Sequence, residues 1–167
     1  MSLDNIQITP DIVQRLYKKT LVELNTTPVK NNLLNEDKWA FFGRNEKNIL
    51  IIVNEKNIAF LADEDLNFLM GILTACSLSM ADVALVNYFK NPEIKYTDLM
   101  EKFTPKKIIF FGAELASLNF PLQFPHYQLQ KYNYQTYLSA PALSILAKDV
   151  QQKKQLWNCL KTLFPVT

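Results

Sequence analysis

The chain has 167 residues, of which 49% are hydrophobic, 12% aromatic and 20% charged. That is enough apolar surface for one core, and it excludes both a disordered chain and two full domains. Eighteen Lys and Arg against 16 Asp and Glu leave a net charge of +2, too little for bulk attraction to a polyanion, so any nucleic-acid contact has to be local.

Two cysteines, Cys76 and Cys159, fall in apolar helical stretches and read as buried reduced thiols. With a single histidine, His126, they offer no zinc-site spacing and no paired-histidine motif, so neither metal nor cofactor is expected. No apolar run reaches the roughly 20 residues that span a bilayer, and residues 1–4 do not open a signal peptide. A cytoplasmic location without membrane contact is the expectation.

In chain order, Thr9 suits an N-cap and Pro10 the first helical position, and Ile12, Val13, Leu16, Leu21 and Leu24 recur near helical spacing. An amphipathic helix over residues 1–25 is predicted, ending near Asn25. Residues 26–47 mix Thr, Pro, Asn and charges around Leu33, Leu34, Trp39, Phe41 and Phe42, an approach segment whose aromatics dock on the body. A core over residues 48–167 follows within the same domain.

The run Ile49, Leu50, Ile51, Ile52, Val53 has the continuous apolarity of a strand buried on both faces of a parallel sheet. Leu66, Leu69, Met70, Leu73 and Cys76 then share one helical face, predicting a helix over 63–77. A second strand over 83–86, a helix over 97–103, a third strand over 107–111 and a helical stretch over 113–118 continue the alternation, with Gly112 as a tight turn. Pro121 and Pro125 break the chain, and alternation over 126–132 predicts a fourth strand. Asp149 with Gln152 resembles a capping box, and Leu156, Trp157, Leu160, Leu163 and Phe164 stripe the closing helix. The pattern predicts a three-layer α/β/α fold around a central four-stranded parallel sheet, with ligand sites at the carboxyl ends of its strands.

At those ends the chemistry is sparse. Asn54, Glu55, Lys56 and Asn57 follow the first strand, polar enough to hold a water but without the glycines of a phosphate loop. Asn87, Tyr88, Phe89 and Lys90 follow the second, where an asparagine either reads a base edge or caps a turn. Ser139 has no histidine or acid near it in sequence and reads as a turn serine, while Asp63, Glu64 and Asp65 complement a helix dipole. Lys90, Lys95, Lys102, Lys106 and Lys107 beside Tyr88 and Phe89 form either a DNA-binding remnant or a solvated face. No nucleophile, orienting partner and oxyanion site assemble.

Taken in order, the strand from Ile49 to Val53, the helix with Leu66, Leu69 and Leu73, and the segment Leu85, Val86, Asn87, Tyr88, Phe89, Lys90 carry a resemblance. The strand between Pro105 and Gly112 and the tail Ser139, Ala140, Pro141, Ala142, Leu143 complete it. Together they resemble the uracil-DNA glycosylase-like fold over roughly residues 38–165. Active members have a Gly- and Pro-containing loop after the first strand, where Asn54 to Asn57 has neither. They also place a histidine before the last motif's proline, where this chain has Ser139 and Ala140 ahead of Pro141. Asn87 alone keeps the place of the uracil-reading asparagine.

A narrower pattern, Ser139, Pro141, Ala142, Leu143, Lys154, Leu156 and Trp157, is similar to the psi-subunit family of bacterial DNA polymerase III, which has a glycosylase-like fold without glycosylase activity. The resemblance implies a non-catalytic interaction subunit in DNA replication, with Asn54, Glu55, Asn87 and Ser139 as vestiges of the catalytic loops. It implies a protein partner, chi-like or from the clamp loader, for which Ile12, Leu16, Tyr17 and Leu21 on the N-terminal helix are the candidate anchors; docking of that helix on its own domain is the alternative. A weak DNA contact would fall at Tyr88 and Lys90. The competing expectation is a divergent uracil glycosylase, in which Asn54 or Glu55 positions water and Asn87 reads the base from a pocket at the ends of the first two strands.

Overall fold

A computed structural model of the protein describes residues 40–165. Ile12, Leu16, Tyr17 and Leu21, and the helix expected around them, lie outside the described residues. Six strands form one sheet: β1 (Phe42–Gly43), β2 (Ile49–Val53), β3 (Val83–Asn87), β4 (Lys107–Phe111), β5 (Leu129–Tyr132) and β6 (Gln135–Ala140), in the order β1-β3-β2-β4-β6-β5. Helices α1 (Asp63–Ala75), α2 (Tyr96–Phe103), α3 (Leu143–Leu146) and α4 (Val150–Leu163) connect or follow them, with single 3-10 turns at Tyr88–Lys90 and Leu115–Leu118.

The central strands are continuously apolar because both of their faces are covered. Ile49, Ile51 and Val53 join Leu85, Ile109 and Leu138 on the face packed by α1, α3 and α4. Leu50 and Ile52 join Val86, Ile108, Phe110 and Tyr137 on the face packed by α2 and the Leu115–Leu118 turn. All five β2 residues are buried, each contributing about 1.5–3 kcal/mol relative to exposure. The fold is therefore α/β with helices on both faces of a mixed sheet.

The expected four-stranded parallel sheet is corrected in two ways. Four strands, β3, β2, β4 and β6, do run parallel, but β1 and β5 extend the sheet antiparallel at its two edges. The strand expected over 126–132 supplies only the edge strand β5, and the fourth parallel strand is β6, of which Ser139 and Ala140 belong to the tail expected before the last helix. The two-residue turn between them consists of Asn133 and Tyr134 at φ of 48° and 62°. Such a turn ordinarily carries glycine, so the sequence gives little warning of the hairpin.

At the other edge, Gly43 sits at φ 105°, and a Cβ there would lie 2.1 Å from the Val83 carbonyl oxygen. Only glycine lets β1 close on β3. This pairing draws the end of the stretch read as an approach segment into the sheet, and the N–H groups of Asn45, Glu46 and Lys47 continue it by donating to the carbonyls of Val83, Ala81 and Asp82.

The helices follow their local signals. Asp149 caps α4, its Oδ1 accepting from the N–H groups of Gln151 at 2.8 Å and Gln152 at 3.1 Å. Thr104 ends α2 in a left-handed conformation, with Pro105 behind it. The stripe of α1 is narrower than its spacing predicts: Leu69, Leu73 and Cys76 are buried, whereas Met70 is 39% exposed. Cys76 and Cys159 are free thiols, the first buried and the second half-buried. Among the described residues, no helix is long and apolar enough to cross a membrane.

Candidate functional site

Asn87 ends β3. Strand alternation turns its side chain to the face shared by Val83 and Leu85, which is the face that α1 covers. There it meets the loop from β2 to α1. Its Oδ1 accepts from the N–H of Glu55 at 3.0 Å and of Phe89 at 3.1 Å. Its Nδ2 donates to the carbonyls of Glu55 at 2.8 Å, Ile58 at 3.1 Å and Ala59 at 3.1 Å. Both the donor and the acceptor capacity of the amide are therefore committed to backbone, and the residue is 1% exposed.

The remaining residues singled out at this end of the sheet are dispersed. Asn54 is exposed and Glu55 half-buried. Burial, and secondarily the charge of Asp65, push the Glu55 carboxyl above its ordinary value. Glu55 meets Asn87 only through its backbone. The Tyr88 hydroxyl is taken up by the carbonyls of Ser117 at 2.6 Å and Pro92 at 3.3 Å. Lys90 donates to the Lys56 carbonyl at 2.8 Å and lies 5.9 Å from the centre of the exposed Phe89 ring.

The lysines grouped in sequence do not share a surface. Lys90 follows the carboxyl end of β3, level with Val53, whereas Lys107 opens β4 level with Ile49. About 13 Å of strand separates these two ends of the sheet. Lys107 Nζ lies 4.4 Å from the centre of the Phe164 ring, and burial lowers the pKa of its ammonium group.

A cleft opens at the ends of β4 and β6. The chain leaves β4 at Gly112 towards the α2 face and leaves β6 at Pro141 towards the α3 face, so the two exits diverge and leave a gap, as at a switch point in an α/β sheet. Gly112 holds φ 65°, and a Cβ on it would come within 2.9 Å of the Ala142 Cβ, so glycine keeps the two exits in contact at their base. The cleft measures about 580 Å³, with Leu115, Phe124, Ala142 and Ile145 among its apolar walls. Glu114, Gln123, His126 and Ser139 supply its polar lining.

His126 Nδ1 and Ser139 Oγ are 2.9 Å apart. Ser139 lies within β6 rather than in a turn and is 3% exposed. The pairing was hidden in the sequence because the two residues lie 13 apart on opposite arms of a hairpin whose turn carries no glycine. Counting back from a recognised turn at 133–134 would have brought His126 level with residues 139–141, and the Tyr127 N–H donates to the Ser139 carbonyl at 2.9 Å.

A hydroxyl beside an imidazole is two parts of a nucleophilic site. Among the described residues no carboxylate hydrogen-bonds the imidazole to orient it, and the Gly112 N–H is committed to the Ala140 carbonyl at 3.0 Å. Among the described residues no lysine or arginine lines the cleft, and none there supplies a cation to pair with an anionic group. Its chemistry is hydrogen bonding between apolar walls. Among the described residues no cluster of three or more His, Cys, Asp or Glu side chains is placed to hold a metal ion. No family model and no curated protein matches the chain.

Proposed function

We propose that the protein is a non-catalytic interaction subunit of the DNA replication machinery, with a uracil-DNA glycosylase-like form of the α/β fold similar to that of the psi-subunit family. One observation carries the reading. The asparagine in the place of the uracil-reading residue has its whole amide bonded to the backbone at residues 55–59 and 89, so a flipped base would find neither its donor nor its acceptor.

Further support comes from the absence of glycine and proline in residues 54–57, and from Ser139 and Ala140 standing ahead of Pro141. On this reading the protein acts in the cytoplasm. Ile12, Leu16, Tyr17 and Leu21 anchor a clamp-loader or chi-like subunit, and Tyr88 and Lys90 make at most an incidental DNA contact.

The test pairs two assays on the purified full chain. The expected result is no release of uracil from single- or double-stranded oligonucleotides, together with co-elution with purified clamp-loader and chi subunits in size exclusion. Leu16→Asp should weaken that complex about tenfold or more, as loss of a buried anchor does. Uracil release that disappears in Glu55→Gln overturns the proposal in favour of a divergent glycosylase, because that substitution leaves untouched the backbone groups through which Glu55 meets Asn87.

A further inference from the structure

Outside the β4/β6 cleft and the Asn87 knot, one surface combines an apolar groove with an unbalanced charge. Helices α1 and α4 lie side by side on one face of the sheet, and between them Phe68 and Ile72 of α1 face Leu156, Trp157 and Leu160 of α4. Leu156 and Leu160 form the buried floor, while Trp157 is 36% exposed. Its indole N–H has no hydrogen-bond partner among the described residues.

The helical repeat places Lys153 and Lys154 one turn before Trp157 and Lys161 one turn after it. Thus three lysines lie within one helical turn of the exposed aromatic, and α4 carries no acidic residue beyond its Asp149 cap. Lys153 lies 5.4 Å from the centre of the Phe68 ring at the groove's edge. Lys154 and Lys161 are exposed and pair with no carboxylate among the described residues. On the α1 side, the wall from Phe68 to Ala75 carries no charge, Gly71 has open space above its Cα, and the nearest acid along the helix is the buried Asp65, one turn before Phe68.

We infer that the α1/α4 groove is a docking site for an acidic amphipathic helix of a partner protein, with Trp157 as its central anchor. Charge complementarity selects this occupant. Lys153, Lys154 and Lys161 against the single Asp149 cap leave the α4 side of the groove positive, so a segment with Asp and Glu flanking apolar anchors gains at these lysines what a basic or neutral helix does not. The small residues Gly71 and Ala75 let a helix backbone approach α1 closely, and tryptophan is the residue type most enriched among energetically dominant anchors. The inference rests on the proposed role as an interaction subunit but assigns a surface separate from residues 12–21.

The probe is a fluorescein-labelled peptide of about 16 residues with Leu and Phe at i, i+3, i+4 and i+7 and Glu elsewhere, compared with a twin carrying Lys for Glu. Binding to the full chain is read by anisotropy. The acidic peptide is expected to bind at least about tenfold more tightly than its twin, with an advantage that shrinks in high salt. Lys154→Glu with Lys161→Glu should remove most of that advantage at an unchanged urea midpoint, since both side chains are exposed and unpaired, and Trp157→Ala should weaken binding about fivefold or more.

Equal binding of the two peptides, or binding indifferent to the lysine reversal, overturns the inference. A dimer in sedimentation that is lost in Trp157→Ala reassigns the groove to a second copy. Stronger association with phosphatidylserine vesicles than with the peptide, lost on lysine reversal, reassigns it to a lipid surface. Clamp-loader co-elution reads the proposed function separately: its loss with peptide binding intact overturns that function and leaves the groove standing.

Discussion

Asn87 couples two loops through five backbone hydrogen bonds, four reaching 28 to 32 residues back along the chain and one to Phe89. Asn87→Ala strands those carbonyls and N–H groups at a buried position and should lower stability by about 2–3 kcal/mol, measured as a urea midpoint shift. Asn87→Asp should be at least as damaging, because a carboxylate keeps the two accepted bonds but faces three carbonyl oxygens it cannot donate to. A uracil-reading asparagine would behave differently, with substitution costing activity and leaving stability nearly unchanged.

Asp82 fixes the entry to β3. Its Oδ2 accepts from the Ser79 N–H at 2.7 Å and the Ser79 hydroxyl at 3.1 Å, and its Oδ1 lies 3.2 Å from Lys47 Nζ. The Ser79 backbone bond is the largest of several contacts that hold the carboxyl below its ordinary value, despite the opposing effect of burial. A folded pKa below the unfolded value of about 3.9 means that the folded state prefers the ionised form. The stabilisation is thus present above that value and is lost as pH falls through the folded pKa. Asp82→Asn should therefore cost about 1 kcal/mol at neutral pH, after solvent screening, and the gap to the parent should close as pH falls through the lowered folded pKa in parallel urea titrations. Glu55 and Asp65, raised chiefly by burial, act with the opposite sign, their contribution falling as pH rises through their raised values.

At the scale of elements, the β5–β6 hairpin is held by its strands and opposed by its turn. Tyr137 and Leu138 are buried and paired with Gln130 and Leu129, while Tyr134 stands fully exposed at φ 62°, a region that costs a non-glycine residue about 1 kcal/mol. Tyr134→Gly should raise the urea midpoint by the equivalent of about 0.5–1 kcal/mol, since no described contact is lost. A fall would mean that the Tyr134 ring contributes packing. The same hairpin explains why sequence alternation places the fourth parallel strand at 126–132 and not at β6: the long-range pairing of β6 with β4 overrides a turn that local propensity does not favour. Helices α1 and α4, by contrast, are readable from periodicity and cap alone because their hydrogen bonds are local.

For the whole molecule, the parallel order β3-β2-β4-β6 decides where chemistry can occur. The chain itself fills the crevice above β2 and β3 through Asn87, while the diverging exits of β4 and β6 leave the cleft that holds His126 and Ser139. Lys90 and Lys107, grouped in sequence, fall at opposite ends of the sheet, and a further basic surface beside an exposed aromatic lies on α4.

By itself the sequence determined the α/β class, the central strand Ile49–Val53, the extents of α1 and α4, the Asp149 cap and the turn at Gly112. Each is written in short-range periodicity, or in a backbone conformation that few residues adopt. Only the tertiary structure decided that Asn87 spends its amide on a loop more than two dozen residues away, that Ser139 meets His126 across a hairpin, and that Trp157 emerges among lysines beside Phe68. These are contacts between segments distant along the chain, fixed by strand order and register, and no local pattern encodes either one.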